Sequence, residues 1–485
     1  MRDLQEKRKR AVVAAVHLQS VSDVEFDSSV SELRQLAQTL GFDVVATFTQ
    51  KRASFDPGAY FGAGKRQELR RFVRGERAPD DLSASDEDEA EVVDESDESV
   101  PATGKDAKRA ALEAKRAAEA PADESSRRVD IVLVDHEISP SQARNLEKEA
   151  GCEVMDRTMV ILEIFHRHAR TRAARAQVEI VRLNYMAPRL REAAKIAGSQ
   201  GRQRSGIGGR GAGESHDELD RRKIRDRIAE LQQELVAMDV ERKTQRARRQ
   251  EREGLAHVAL VGYTNAGKST LMRALTGSDV LVADKLFATL DTTVRVLQPE
   301  GIPRVLVSDT VGFIKNLPHG LVASFKSTLD EALEASLLAH VVDASDPGFE
   351  RQLAVTEEVL DEIGARSVPR ILVFNKIDRV GDDAAQRALE AQLRAQHPEC
   401  IVLSALRAGD VALLRERMRG FFRGRQVEAE LFLPWTAQRM RGEIFASCEV
   451  LEERAGSDGA HFRVRGEPDA VERLREQLGA APSGG

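Results

Sequence analysis

The chain has 485 residues, of which 41% are apolar and 32% are charged, and its formal net charge is −7. This length predicts about three domains, and the apolar fraction is typical of a globular protein with proper cores. Cys152, Cys400 and Cys448 are far apart and fit no metal-ligand or redox spacing. No apolar run reaches the ~20 residues of a membrane span, and the charged residues 1–7 lack the apolar core of a signal peptide. We therefore expect a cytoplasmic protein without a membrane span.

An α/β pattern covers residues 1–157. Apolar, strand-like runs at 11–17, 42–48 and 129–135 alternate with stretches of helical spacing, which is typical of parallel strands joined by helices. The GAGK segment at 62–65 resembles a short phosphate loop, but it lacks the full spacing and a good preceding strand. We interpret that segment as a turn followed by a helix start.

An acidic insertion at residues 77–127 interrupts this first domain. Between residues 76 and 126 there are 17 acidic against 6 basic side chains, a balance of −11 within the total of −7, which leaves +4 for the rest. Such a composition predicts disorder, because too little apolar surface is available to offset the ordering entropy. Our hypothesis is a solvated linker, with a regulatory or charge-shielding segment as the alternative. The mildly basic remainder permits an RNA partner.

A long helical hairpin is predicted for residues 158–253. Its second half repeats apolar residues at coiled-coil spacing, which predicts an antiparallel pair of helices around the loop at 198–213. That loop contains seven glycines, three arginines and no acid, and a long loop on a rigid scaffold often carries function. Arginine pairs with phosphates and stacks on unpaired bases, so one interpretation is a contact with structured RNA. The alternative is a hairpin tip without a ligand. The candidate RNA contacts are Arg202, Arg204 and Arg210.

A phosphate loop of the form GxxxxGK[ST] lies between an apolar strand at 257–261 and a helix at 271–275. Backbone N–H groups of such a loop wrap anionic phosphates at a helix N-terminus. Lys268 supplies a point charge to the outer phosphates, and the Ser269 hydroxyl is a candidate Mg²⁺ ligand. The predicted nucleotide contacts in this loop are Gly262, Tyr263, Thr264, Asn265, Ala266, Gly267, Lys268 and Ser269.

Three further motifs follow apolar strands in the order that a guanine-nucleotide domain requires, which predicts a GTP-binding domain at residues 254–424. The first motif offers Asp309 to hold Mg²⁺ through water and the Gly312 N–H to face the γ-phosphate. In the second, the Asp378 carboxylate accepts from two guanine N–H groups, and adenine would leave that carboxylate unpaired. The backbone of the third motif meets the guanine O6. The residues of the three motifs are Asp309, Thr310, Val311 and Gly312, then Asn375, Lys376, Ile377 and Asp378, then Ser404, Ala405 and Leu406.

A candidate first switch lies between the phosphate loop and Asp309. Thr289 is our choice to close on Mg²⁺ when the γ-phosphate is present, with Thr292 and Thr293 as open rivals. The predicted switch residues are Phe287, Ala288, Thr289, Leu290 and Asp291.

The second switch predicts slow intrinsic hydrolysis. Many GTPases place a glutamine directly after the second-switch glycine to orient the attacking water, whereas this chain has Phe313. We expect in-line attack by water with Lys268 and Gly312 as the catalytic residues and with a partner that completes the site. The alternative is a first-switch side chain that supplies the water contact unaided.

Residues 425–485 predict a small α+β domain with strands near 428–433, 449 and 461–465. We expect Trp435 to be a buried core anchor, with a base-stacking surface residue as the alternative.

Taken together, these motifs resemble the HflX family of translational GTPases over nearly the whole chain apart from the insertion. The resemblance implies an N-terminal α/β domain with a helical hairpin, a P-loop GTPase domain, binding to the large ribosomal subunit and ribosome-stimulated hydrolysis that dissociates or rescues stalled ribosomes under stress. Two departures from the family pattern are Thr292 and Ala212, where a proline is usual. The segments that carry the resemblance are 139–147, 156–158, 206–208, 262–270, 287–291 and 309–314.

The function expected from the sequence is therefore that of a Mg²⁺-dependent, monomeric GTPase acting on ribosomes. One alternative is a GTP-gated ribosome-binding anti-association factor in which hydrolysis only drives release. Another is a tRNA-modifying GTPase, which is disfavoured because the chain lacks the cysteine-bearing C-terminal motif of that group.

Overall fold

A computed structural model describes residues 8–76, 128–201, 216–253, 256–277, 286–287, 292–301, 304–315 and 331–479. The chain is a mixed α/β protein and divides into two compact units, Met1–Val160 and Ile161–Gly485. Within the described residues, none of the helices is both long and apolar enough to cross a bilayer.

The first unit is built on a four-stranded parallel sheet of order β2-β1-β3-β4. The central strands β1 and β3 are buried along nearly their full length, as expected for a parallel sheet covered on both faces. The elements are β1 (Arg10–Leu18), α1 (Asp23–Thr39), β2 (Asp43–Arg52), α2 (Ala63–Val73), β3 (Ile131–Val134), α3 (Pro140–Ala150), β4 (Glu153–Asp156) and the start of α4 (Arg157–His168).

Helix α3 begins with a capping box. The Ser139 hydroxyl accepts from the Gln142 N–H at 3.2 Å, and the Gln142 side chain accepts from the Ser139 N–H at 3.0 Å. The segment at 62–65 is the start of α2, where Lys65 forms an ion pair with Glu68 at 3.1 Å.

The helical hairpin consists of α5 (Arg172–Gly201) and α6 (His216–Glu253). Arg172 bonds to Glu234 and Arg227 to Glu179, so the contacts run in opposite directions along the two helices, which are antiparallel. A small core of Ala176, Ile180 and Leu231 lies between them.

The predicted helical segment from residue 158 is not continuous. Helix α4 ends at His168, and α5 starts after Thr171, whose hydroxyl accepts from the Ala174 N–H at 3.2 Å. This N-terminal cap starts a new helix, and apolar spacing alone gave no signal for it.

A six-stranded sheet of order β10-β9-β8-β5-β7-β6 follows the hairpin, with only β6 antiparallel. One face packs on α7 and α10, and the other packs on α8 and α9. The carboxyl ends of the parallel strands therefore meet at one edge, where ligands of open α/β sheets bind. The elements are β5 (Ala256–Gly262), α7 (Lys268–Thr276), β6 (Thr293–Val296), β7 (Val305–Asp309), β8 (Leu337–Asp343), α8 (Phe349–Glu362), β9 (Arg370–Asn375), α9 (Asp383–Gln396), β10 (Ile401–Val402) and α10 (Ala408–Arg423).

The C-terminal part forms a three-stranded antiparallel sheet of order β11-β13-β12, with one face covered by helices. Trp435 is 41% exposed and donates from its ring N–H to the Ser457 carbonyl. The prediction that Trp435 is a core anchor is wrong, because Leu431, Leu433 and Phe462 already fill the core and the indole lies at its margin. The elements are β11 (Val427–Pro434), α11 (Arg441–Ser447), β12 (Glu449–Ala455), β13 (Gly459–Gly466) and α12 (Pro468–Gly479).

Candidate nucleotide-binding site

The phosphate loop connects the end of β5 to the start of α7. Gly262 has φ +144, and a side chain there would overlap the carbonyl oxygen of Val341 on the neighbouring strand. Only glycine fits this combination of backbone angle and close approach. The loop therefore leaves β5 tightly against β8 and presents the N-terminus of α7, a place that favours anions.

Lys268 is buried in the centre of the site. Its ammonium donates to the carbonyls of Gly262 at 3.0 Å and Tyr263 at 2.7 Å. Burial lowers the pKa of Lys268 to about 8; the Asp309 carboxylate opposes this shift, and the positive charge of Lys376 adds to it. The ammonium is thus bonded to the phosphate loop, where the outer phosphates are expected to bind.

Ser269 and Asp309 lie side by side, with the Ser269 hydroxyl donating to the carboxylate at 2.6 Å. Thr310 fixes the strand end through a 2.7 Å bond from its hydroxyl to the Leu260 carbonyl. A hydroxyl and a carboxylate oxygen next to a phosphate loop are the ligand types that Mg²⁺ prefers. The donor set therefore fits the predicted metal.

The start of the second switch is bonded to the phosphate loop. The Phe313 N–H donates to the Gly262 carbonyl at 3.1 Å, and the Thr264 N–H donates to the Phe313 carbonyl at 2.7 Å. Gly312 lies so close that a side chain there would be 2.8 Å from the Thr264 Cα and 3.0 Å from the Lys268 ammonium. The contact brings Gly312 beside the groups expected to hold the terminal phosphate.

The motif at 375–378 is joined to the phosphate loop and to the motif at 404–406. The Asn375 side-chain amide donates to the Ala266 carbonyl at 2.9 Å and accepts from the Ala405 N–H at 3.0 Å. Lys376 donates to the Asn265 carbonyl. Together these bonds bring three of the predicted motifs into one site.

The base-recognition end of the site is more exposed to solvent than the surroundings of Lys268. Asp378 is half-buried in the short turn Ile377–Arg379, and Leu406 is 75% exposed. The Ser404 N–H donates to the Asp410 carboxylate at 2.8 Å, and the Ser404 hydroxyl accepts from the Leu406 N–H at 3.2 Å. These bonds fix the backbone that is expected to meet the guanine.

The first switch is described only at its start. Phe287 is buried, and its ring centroid lies 4.5 Å from that of Phe165 in α4. The predicted residues Ala288, Thr289, Leu290 and Asp291 lie outside the described residues, as do the candidate RNA contacts Arg202, Arg204 and Arg210.

Sequence reasoning missed two carboxylates that support the site. Asp343 ends β8 and bonds to Lys376 at 2.8 Å, and Asp410 in α10 holds Ser404. Asp343 ends a buried strand, and Asp410 lies in the first turn of its helix. The Asp343 position at the end of the buried run Leu337–Val342 was an available signal.

Family models match three consecutive parts of the chain. Their descriptions are GTP-binding GTPase N-terminal at 27–87 and 103–166, GTP-binding GTPase middle region at 168–249, and 50S ribosome-binding GTPase at 257–376. A protein described as GTPase HflX from Gluconacetobacter diazotrophicus is 50% identical over 470 residues, which cover 97% of this chain and 98% of its own length. This chain belongs to the HflX family. The predicted resemblance is thus confirmed, and the chain is a GTP-binding GTPase.

A second HflX protein and a solved structure have lower identity to this chain. GTPase HflX from Escherichia coli is 39% identical over 332 residues, covering 68% of this chain and 76% of its own. A crystal structure of a GTP-binding protein from Sulfolobus solfataricus in complex with GDP covers 85% of this chain and 98% of its own, at 21% identity and a TM-score of 0.41.

Proposed function

We propose that this HflX-family GTPase binds the large ribosomal subunit and dissociates or rescues stalled ribosomes under stress, hydrolysing GTP to GDP with ribosome stimulation. The observation that carries the proposal is the meeting of four guanine-nucleotide motifs in a domain that matches a 50S ribosome-binding GTPase model. On this account the protein acts as a monomer in the cytoplasm.

Each predicted site residue has a role in this proposal. The loop 262–269 wraps the phosphates, Asp378 accepts from the guanine base, and the backbone of 404–406 faces O6. Lys268 leaves its two carbonyl partners to meet the β- and γ-phosphates, and the Gly312 N–H donates to the γ-phosphate. The cost of giving up two hydrogen bonds is offset by the charge of the phosphates.

Ser269 and Thr289 would hold the metal, and Asp309 would act on it through a water molecule. Bound Mg²⁺ supplies neutralisation of the charge that develops on the phosphate oxygens. The 2.6 Å bond between Ser269 and Asp309 supports this assignment, because it brings a hydroxyl and a carboxylate oxygen together beside the phosphate loop.

Hydrolysis proceeds by in-line attack of water on the γ-phosphate, assisted by Lys268 and Gly312. The Phe313 side chain has no group that orients water, and its backbone is bonded to the phosphate loop. We therefore propose that a partner completes the catalytic site, and stimulation by the ribosome would follow from this.

The ribosome contact is assigned to the hairpin. Helices α5 and α6 form an antiparallel pair with interhelical ion pairs and a small apolar core, and the predicted loop connects them. Arg202, Arg204 and Arg210 in that loop are the proposed contacts with rRNA.

The alternative is an anti-association factor in which GTP sets ribosome affinity and hydrolysis only drives release. Sucrose-gradient analysis of 70S ribosomes mixed with the protein tests the two accounts. If hydrolysis drives dissociation, GTP yields free subunits and a non-hydrolysable GTP analogue yields few. Full dissociation with the analogue would favour the alternative, and intact 70S ribosomes under both conditions would contradict both accounts.

A further inference from the structure

Asp343 lies at the carboxyl end of β8, directly beside Asn375 at the end of β9. Both of its carboxylate oxygens are used. One accepts from the Ser345 N–H at 3.0 Å and from the Ser345 hydroxyl at 2.6 Å, and the other accepts from the Lys376 ammonium at 2.8 Å. The carboxylate therefore has a fixed position, and it holds the lysine of the base-recognition motif.

The Lys376 ammonium has acceptors in two segments of the site. Its ammonium donates to the Asn265 carbonyl in the phosphate loop as well as to Asp343. Its Cε lies 3.7 Å from the position that a Gly267 side chain would occupy. The side chain thus connects the base-recognition motif to the phosphate loop, and Asp343 sets where it lies.

The pair is also positioned to balance charge. The Lys376 and Asp343 side chains are only 12% and 15% exposed, so the attraction between them is weakly screened. The positive charge of Lys376 acts on the buried Lys268. Without the Asp343 carboxylate, the repulsion between the Lys376 and Lys268 ammonium groups would be less compensated. Lys376 would keep the Asn265 carbonyl as a partner.

We propose that Asp343 is a positioning residue for guanine-nucleotide retention: it holds Lys376 across the phosphate loop and thereby slows the release of GDP and GTP. This inference rests on the nucleotide site proposed above, and it is independent of the ribosome. Ser345 acts behind Asp343, since its hydroxyl and N–H fix the carboxylate.

The test is the release rate of a fluorescent GDP analogue from the full-length protein, chased with excess GDP in the absence of ribosomes. Asp343→Asn keeps the shape but removes the charge, so we expect release to be at least about tenfold faster, as for loss of one charge-assisted bond. Ser345→Ala should give a smaller increase. At saturating GTP, kcat should stay within about twofold while KM rises, whereas a folding defect would lower kcat instead.

The matched control is Asp346→Asn. Asp346 lies in the same loop, but it accepts from the Gly348 N–H and from the Gln352 amide. Within the described residues, Lys376 donates to Asn265 and Asp343 and not to Asp346. Its variant should release GDP at the wild-type rate. Equal acceleration in both variants, or none in Asp343→Asn, would overturn the proposal.

Two further outcomes are distinguishable. If Asp343→Asn does not fold, an unchanged release rate in Ser345→Ala overturns the proposal and a faster one supports it. Asp378→Asn tests the site itself, because it removes the proposed guanine acceptor. Unchanged GDP binding in that variant would contradict the nucleotide site. If Asp378→Asn loses GDP binding as expected while Asp343→Asn releases GDP at the wild-type rate, only this inference would be contradicted.

Discussion

His340 is a buried histidine at the centre of the GTPase sheet, paired in register with Val261 on one side and Leu372 on the other. Within the part of the chain that the structure describes, neither ring nitrogen has a hydrogen-bond partner. Burial, with the positive charges of Arg370 and Lys268, lowers the pKa of His340 to about 3. The imidazole is therefore neutral in the folded protein at neutral pH.

This burial predicts a pH dependence of stability. The unfolded chain protonates His340 below its ordinary pKa of 6.5, whereas the folded chain does so only near 3. Stability from this group is therefore fully present above pH 6.5 and is lost as the pH falls from 6.5 toward 3, by about 2 kcal/mol between pH 6.5 and 5. Hydrogen exchange of β8 amides across this range, in wild type and His340→Leu, measures it. Parallel pH profiles in the two proteins would contradict the assignment.

The close approach of Gly312 to the phosphate loop predicts that a larger residue there slows GTP hydrolysis. In Gly312→Ala the added methyl would meet the Thr264 backbone and the Lys268 ammonium, and it would push the second switch away from the phosphate loop. We expect GTP hydrolysis to fall by about a hundredfold or more, with GDP affinity within about threefold of wild type. The matched control is Gly409→Ala, where a methyl meets open space. Normal hydrolysis by Gly312→Ala would show that the second switch does not act through this glycine.

The motif spacing predicted which segments come together at the sheet edge, because that spacing is set by the phosphate and base chemistry. It did not predict which atoms the residues contact. The bonds of Lys268 to its own loop and the Asp343–Lys376 pair depend on how separate strands lie side by side. Neighbours across a parallel sheet are distant in sequence, and no local pattern records them.

At the scale of elements, the hairpin depends on a small core. Leu231 is 3% exposed between α5 and α6, whereas Val236 on the same helix is 64% exposed. Leu231→Ala should destabilise the hairpin by about 3 kcal/mol, and Val236→Ala by less than about 0.5 kcal/mol. Hydrogen exchange of α6 amides measures both.

We expect Leu231→Ala to lose ribosome-stimulated hydrolysis while basal hydrolysis stays unchanged. Full stimulation in a protein with a loosened hairpin would contradict the role of the hairpin.

The apolar repeat in α6 was sufficient to predict an antiparallel hairpin, because buried positions recur at coiled-coil spacing. The break between α4 and α5 was not predicted in this way, because its signals are the polar run at 166–172 and the Thr171 cap, which a search for apolar spacing does not use. Trp435 shows the same limit. An aromatic residue type indicates burial on average, but the position of the indole depends on which other side chains already fill the core.

Across the whole molecule, the apolar runs predicted parallel strands in the first domain and strands without a stated direction in the C-terminal domain, where the sheet is antiparallel. Strand β3, which follows residues 77–127 in the chain, lies between β1 and β4 in the first sheet. The strand orders themselves follow from crossover connections that a linear pattern does not specify.

We propose that the ribosome completes the catalytic site and that it contacts the hairpin loop at 198–213. The direct test is steady-state GTP hydrolysis by the full-length protein, alone and with large ribosomal subunits. The test variant has Arg202, Arg204 and Arg210 changed to Ala. The matched control removes the same charge from exposed G-domain positions, with Arg366, Arg387 and Arg394 changed to Ala.

We predict strong stimulation by subunits in wild type and in the control, and loss of stimulation with normal basal hydrolysis in the loop variant. Equal rates with and without subunits in the wild type would contradict the ribosomal function. Full stimulation of the loop variant would contradict the assignment of the RNA contact to these arginines.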